Sequence, residues 1–145
     1  MYQHILIATD GSDLARKAVD QGLALAKAIS ARVTAVTVTE PWTSVAPVEM
    51  SIAFPPEEYE KAAAANAAKI LSSVDETAKR LGVTCQTLHL KDQYPSDGIV
   101  DTCKQRGCDL IVMASHGRRG LSRLVLGSQA NAVVTHSFVP VLICR

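Results

Sequence analysis

The residues with most chemical potential lie in one stretch, Met113 to Ser128, which reads MASHGRRGLSRLVLGS. It leaves an apolar run, passes Gly117, Arg118, Arg119 and Arg123, and ends on Gly127-Ser128. It is richer in glycine and positive charge than in nucleophiles or bases, and this composition points to anion binding. A helix beginning at Gly127 offers free backbone N–H groups and the positive end of its dipole, both suited to phosphate. Gly117 and Gly127 carry no side chain to hold an anion off the backbone, Ser128 adds a hydroxyl donor, and the three arginines raise the local potential of a chain whose net charge is only +1. The plainer alternative is that the glycines serve turns with φ > 0 and the arginines are simply solvated.

The commoner nucleotide signatures are missing. No GxxxxGK[ST] occurs, which removes the P-loop. The first turn, Thr9-Asp10-Gly11-Ser12, has one glycine rather than GxGxxG, a poor basis for a nicotinamide site even though Glu40 ends the second strand. Asp10 has no companion acid beside it, as a phosphoacceptor site would require. His4, His89, His116 and His136 fall on different elements, and only His116 is expected to reach a crevice, either to contact phosphate or to hold its own turn. No serine or cysteine pairs with a base and an orienting acid by spacing, and no carboxylate or histidine cluster has metal-ligand spacing.

These residues need a scaffold, and the hydrophobic pattern predicts one. His4 to Thr9, Arg32 to Thr39, Val83 to Leu90, Asp109 to Ala114 and Val139 to Cys144 read as short strands. Between them, helices are expected from the Ser12 cap to about Ile29, from Glu57 to Leu81 with Gly82 as stop, from Pro95 to Arg106 with Gly107 as stop, and from Gly127 to about His136. Asp109 to Ala114 begins a wholly apolar strand, as expected for one buried on both faces, whereas the mixed Val83 to Leu90 suits an edge. Strict alternation of strand and helix predicts an α/β fold, an open parallel sheet with helices on both faces, in a single domain over 1–145. Ligands of such sheets bind beyond the carboxyl ends of the strands, where strand order switches sides. If the first and fourth strands are neighbours there, Thr9-Asp10 and Ala114 to Gly117 face one crevice. Pro41 to Pro56 is left as a long connection whose Trp42 and Phe54 either meet a ligand or partner or anchor the loop.

Composition bounds the function classes. Near-zero net charge gives no reason to expect nucleic acid or an anionic membrane as partner. The opening MYQHILIATD lacks the pattern of a secretory signal, and no run has the length of a membrane span. Cys85, Cys103, Cys108 and Cys144 lie in or beside apolar segments without CxxC spacing, which predicts reduced thiols in a cytoplasmic protein.

The whole chain resembles the universal stress protein family. HILIATDGSDLARKAV is similar to the family's opening, and DLIVMASHGRRGLSRLVLGSQANAVVTHSFVPVLICR to its signature region and closing strand. The resemblance implies a Rossmann-like sheet of the adenine nucleotide alpha hydrolase-like type, with five parallel strands in order 3-2-1-4-5 and a homodimer formed through the last strand. The family's ATP-binding branch carries G-x2-G-x9-G-[ST]. The matching positions here are Ala114, Gly117, Gly127 and Ser128, so only the first glycine departs, and Gly120 lies within the spacer. An alanine there costs little if its φ is negative and is strained if φ is positive. By the same resemblance ATP is the expected cofactor, with any Mg or Mn carried by its phosphates. Thr9 and Asp10 would lie by the ribose, Val38 by the adenine, and Met113 and Ala114 on the floor. Gly117 and Arg118 would border the phosphates, while Gly127, Ser128 and Gln129 would donate to them.

The expected protein is thus a cytoplasmic, ATP-binding, dimeric stress-response protein with no dedicated catalytic group, though slow ATP hydrolysis could accompany binding. The closing strand VPVLIC supports the dimer independently, since an apolar strand with an uncovered edge invites a second copy. One alternative is a dimeric stress-response interaction protein that binds no nucleotide, which Ala114 permits. Another is a nucleotide-cleaving or nucleotidyl-transferring enzyme on a related fold, for which no acid/base constellation is visible.

Overall fold

The computed structural model describes residues 1–46, 54–117 and 125–145. Strand β1 (His4–Ala8) leads to helix α1 (Asp13–Ile29), then β2 (Arg32–Val38), the short α2 (Trp42–Val45), α3 (Pro56–Leu81), β3 (Cys85–Leu90), α4 (Pro95–Arg106), β4 (Leu110–Ala114), α5 (Ser128–His136) and β5 (Val141–Cys144). All five strands pair in parallel in the order β3-β2-β1-β4-β5. The expected sheet is therefore observed, and β1 and β4 are neighbours at the point where strand order reverses.

Local chemistry explains most of the boundaries. Ser12 caps α1 by accepting from the Ala15 amide at 3.3 Å, and Asp13 sits in the positive first turn. Helices α3 and α4 end on left-handed glycines, Gly82 at φ 73° and Gly107 at φ 66°. Two strands begin later than their apolar runs predict. The Val83 amide is spent on the Ala78 carbonyl in closing α3, so pairing starts at Cys85. Ser137 turns the chain by accepting from the Val139 amide, and Pro140 has no N–H, so β5 starts at Val141. The connection after β2, expected to be irregular, contains one extra helical turn. There the Pro41 carbonyl accepts from the Ser44 amide and hydroxyl. Residues 47–53 of that connection lie outside the described residues.

Two apolar layers sandwich the sheet. Ile5, Ile7, Val33 and Val112 pack against α1 and α3, and Leu6, Val36 and Ile111 pack against α4 and α5. Ile5, Leu6, Ile7, Ile111 and Val112 have no exposed surface, each contributing roughly 1.5–3 kcal/mol of transfer free energy. β3 forms one edge of the sheet and β5 the other. All four cysteines are free thiols, and Cys103 and Cys108 meet across the end of α4. Among the described residues no helix is long and apolar enough to cross a membrane.

This packing lowers the pKa of two histidines. His4 is 7% exposed, and its Nε2 lies 2.8 Å from Thr34 Oγ1. Burial lowers its pKa below the ordinary 6.5, and the Arg32 charge acts in the same direction. His89, 2.6 Å from Thr39 Oγ1, is lowered first by burial and then by Lys91. Below pH 6.5 the unfolded chain takes up protons that the folded chain refuses, so stability falls as pH drops through 6.5 toward the lowered folded values. Urea unfolding at about pH 7.5 and about pH 5.5 should show this loss, and His4→Gln should reduce its size. An equal pH dependence in the variant would contradict the assignment to His4.

Candidate functional site

The carboxyl ends of β1, β2 and β4 open into a cavity of about 770 Å³, within the roughly 300–1,000 Å³ range of small-molecule sites. Thr9 and Asp10 follow β1, and Ser115, His116 and Gly117 follow β4. The start of α5 forms one wall through Gly127, Ser128 and Gln129. Ala62, Ala63, Asn66 and Ala67 of α3 form another, and Val38, Thr39 and Glu40 close the end beside β2. Thr9, Asp10, Val38, Met113, Ala114, Gly117, Gly127, Ser128 and Gln129 all line this one space. Arg118 and the other loop arginines, Arg119 and Arg123, lie outside the described residues.

The two motif glycines are marked by close approach rather than by positive φ, to main chain at Gly127 and to a side-chain tip at Gly117. Ser115 is fixed on both sides: its amide donates to the Cys144 carbonyl at 2.8 Å, and its carbonyl accepts from the Gly127 amide at 2.9 Å. A Cβ on Gly127 would lie 2.8 Å from that same carbonyl oxygen, and Gly127 itself has φ −58°. A Cβ on Gly117 would lie 2.6 Å from Asp10 Oδ2. The other carboxylate oxygen, Oδ1, accepts from the Ser12 amide at 2.9 Å, which holds the side chain in the first turn. Ala114 is an ordinary strand residue paired with Cys144, outside the positive-φ set, so alanine is unstrained there.

The start of α5 carries no side-chain cap among the described residues, and the amides of its first turn have no carbonyl within the helix to bond. The Gln129 side chain is oriented by its Oε1, which accepts from the Ser96 amide at 3.1 Å and ties α5 to the start of α4. Its donors for the expected phosphate role are the side-chain NH2 and the backbone amide. Ser115 Oγ and His116 Nδ1 are 3.0 Å apart. Ser115 is only 4% exposed, so the pair holds the turn, through a side chain rather than the backbone bond expected of a structural His116.

The wall contributed by α3 is absent from the sequence reading, because alanines carry no chemical signature; the run Ala62 to Ala65 is its only trace. Tyr59, also missed, donates from its hydroxyl to the Glu40 carbonyl at 2.8 Å, and its pKa is raised first by burial and then by the Glu40 carboxylate. Phe54 stacks edge-on with Tyr59, so it anchors the connection at that point. Among the described residues no group of three or more His, Cys, Asp or Glu is placed to hold a metal.

The model of the Universal stress protein family matches residues 1–145. Universal stress protein YxiE of Bacillus subtilis is 32% identical over 149 residues, covering 100% of both chains. Universal stress protein UspA from Lactobacillus plantarum superposes with a TM-score of 0.80 at 23% identity, over 99% of this chain and 98% of that one. Two further structures superpose at TM-scores of 0.70. One is the Archaeoglobus fulgidus universal stress protein in complex with dAMP, at 21% identity over 99% and 98% of the two chains. The other is a universal stress protein in complex with cAMP, at 24% identity over 99% and 97%.

The geometry around Gly117 makes a stability prediction. Gly117→Ala must displace the Asp10 carboxylate and lose its bond to the Ser12 amide, a loss of about 1–2 kcal/mol in chemical denaturation. In an Asp10→Ala background the same change should cost almost nothing, because the obstructing carboxylate is gone. Additive costs would show that the two residues do not collide. Gly127→Ala meets main chain instead, and Asp10→Ala should not rescue it.

Proposed function

The chain belongs to the universal stress protein family, and from that premise we propose that it is a cytoplasmic stress-response protein that binds ATP in the crevice at the sheet's switch point and acts as a homodimer. The observation that carries the nucleotide reading is the start of α5, with its free first-turn amides, lying in the same cavity as the Asp10 carboxylate. Cation-like helix amides suit the phosphates, and a carboxylate that accepts hydrogen bonds suits ribose hydroxyls. The complexes of two superposable family structures with dAMP and cAMP support an adenine nucleotide as the ligand class. In this reading Thr9 and Asp10 hold the ribose, and Val38 borders the base above the floor made by Met113 and Ala114. Gly117 and Arg118 flank the phosphates, to which Gly127, Ser128 and Gln129 donate. Mg or Mn would arrive bound to the phosphates, consistent with the lack of a metal-ligand cluster among the described residues.

The protein is a binding and switching module rather than a dedicated enzyme. The Ser115–His116 pair is buried at its serine, and slow hydrolysis would draw on no further catalytic group. Cytoplasmic residence fits the four free thiols. For the dimer, β5 pairs with β4 on one side only, and Leu142 on it is 41% exposed. Val134 on α5 and Phe138 in the turn before β5 are also exposed apolar residues that a second copy could cover.

Two experiments test these readings. Isothermal titration should give saturable ATP binding, weakened at least about tenfold by Ser128→Asp. An acid at this helix start favours the helix, so the variant should remain folded while repelling phosphate. Wild-type protein that does not bind ATP would leave the interaction-protein alternative in its place. Analytical ultracentrifugation should show a dimer that Leu142→Lys converts to monomer, and a monomeric wild-type protein would sink the β5 interface.

A further inference from the structure

Beside the crevice lies a second cavity of about 380 Å³, between α1 and α3. The two spaces share Thr9, Asn66 and Ile70, so they meet where β1 ends. Val19 and Val74 are buried beneath the groove, while Arg16, Asp20, Lys69 and Ser73 on its rim are exposed. Arg16 is partly fixed, its Nε donating to the Gly11 carbonyl at 3.3 Å, which keeps the guanidinium beside the first turn. Two cations against one acid leave the groove with an excess of one positive charge.

We propose that this groove is a subsite for a second phosphate, carried on the 2′ or 3′ oxygen of the ribose. The proposal rests on the nucleotide reading given above. Thr9 and Gly11, the residues on either side of Asp10, both line the groove. A ribose with one hydroxyl on the Asp10 carboxylate has its neighbouring oxygen at this entrance, while its 5′ phosphates lead away toward α5. A phosphate on that oxygen meets the Arg16 guanidinium, the Lys69 ammonium and the Ser73 hydroxyl, a donor set suited to a phosphate dianion. The Asp20 carboxylate opposes it, one turn of α1 beyond Arg16 and outnumbered by the two cations. An unsubstituted ribose leaves these charges to water. The ligand class favoured by the groove is thus an adenine nucleotide phosphorylated at both the 5′ and the 2′ or 3′ positions.

The test compares AMP, adenosine 2′,5′-bisphosphate, adenosine 3′,5′-bisphosphate and ATP by calorimetric titration at constant ionic strength. Either bisphosphate is expected to bind at least about fivefold more tightly than AMP, and the two bisphosphates distinguish the attachment point. The double variant Arg16→Gln/Lys69→Gln should lose that gain while its ATP affinity changes less than about twofold. Lys17→Gln, an exposed change outside the groove, should keep it. Equal affinity for AMP and both bisphosphates, a gain that survives the double variant, or an equal loss with Lys17→Gln overturns the subsite. ATP binding without any bisphosphate gain removes the groove proposal alone, whereas failure of ATP, AMP and both bisphosphates to bind removes the crevice reading with it.

Discussion

The site depends on a main-chain contact, the Ser115 carbonyl accepting from the Gly127 amide. Ser115 also donates to Cys144, so one residue joins the end of β4 to β5 and to the start of α5. The contact is possible only because Gly127 has no Cβ. Ring and methyl packing can shift by tenths of an ångström, but a carbonyl oxygen in two hydrogen-bonded frames cannot. The position of α5, and of every amide in its first turn, follows from this constraint. Across the crevice it is a side chain, the Asp10 carboxylate, that lies close to Gly117, where the β1 and β4 turns meet.

Much of this was legible in the sequence, and for local reasons. Gly82 and Gly107 mark helix ends because a left-handed cap favours glycine, and Ser12 marks a helix start because its hydroxyl can bond the Ala15 amide. Continuous apolar character identified β4 as an interior strand, and mixed polarity placed β3 at an edge. What escaped was decided by partners distant in sequence. Cys85 rather than Val83 begins β3 because α3 takes the Val83 amide, and the helical turn at Trp42 has no periodicity long enough to read. The glycines at 117 and 127 stood out in the sequence, but the cause was not visible there: neither has a positive φ, and each is set by an oxygen from another turn or strand end.

The two faces of the sheet divide the work. On one side α4 and α5 are joined through the Ser96 amide and Gln129, so the start of α5 is braced by its neighbour. On the other, a groove lies between the first half of α1 and residues 66–77 of α3. Asn66 and Ile70 of α3 border both this groove and the crevice, so a single helix face lines two spaces with different charge.

Ala114 shows how the crevice accommodates a departure from the family's glycine pattern. Its backbone is fixed by pairing with Cys144, and its methyl belongs to the apolar cluster that includes Ile7, Ala15 and Cys144. The residue also borders the crevice, so the extra carbon takes room from the floor. The facing wall offsets this loss: Ala62, Ala63 and Ala67 present the smallest side chains a stable helix tolerates. Space for a ligand is therefore set by the alanines of α3 as much as by glycine at the end of β4, and the pattern around the loop can relax at its first position without the cavity closing.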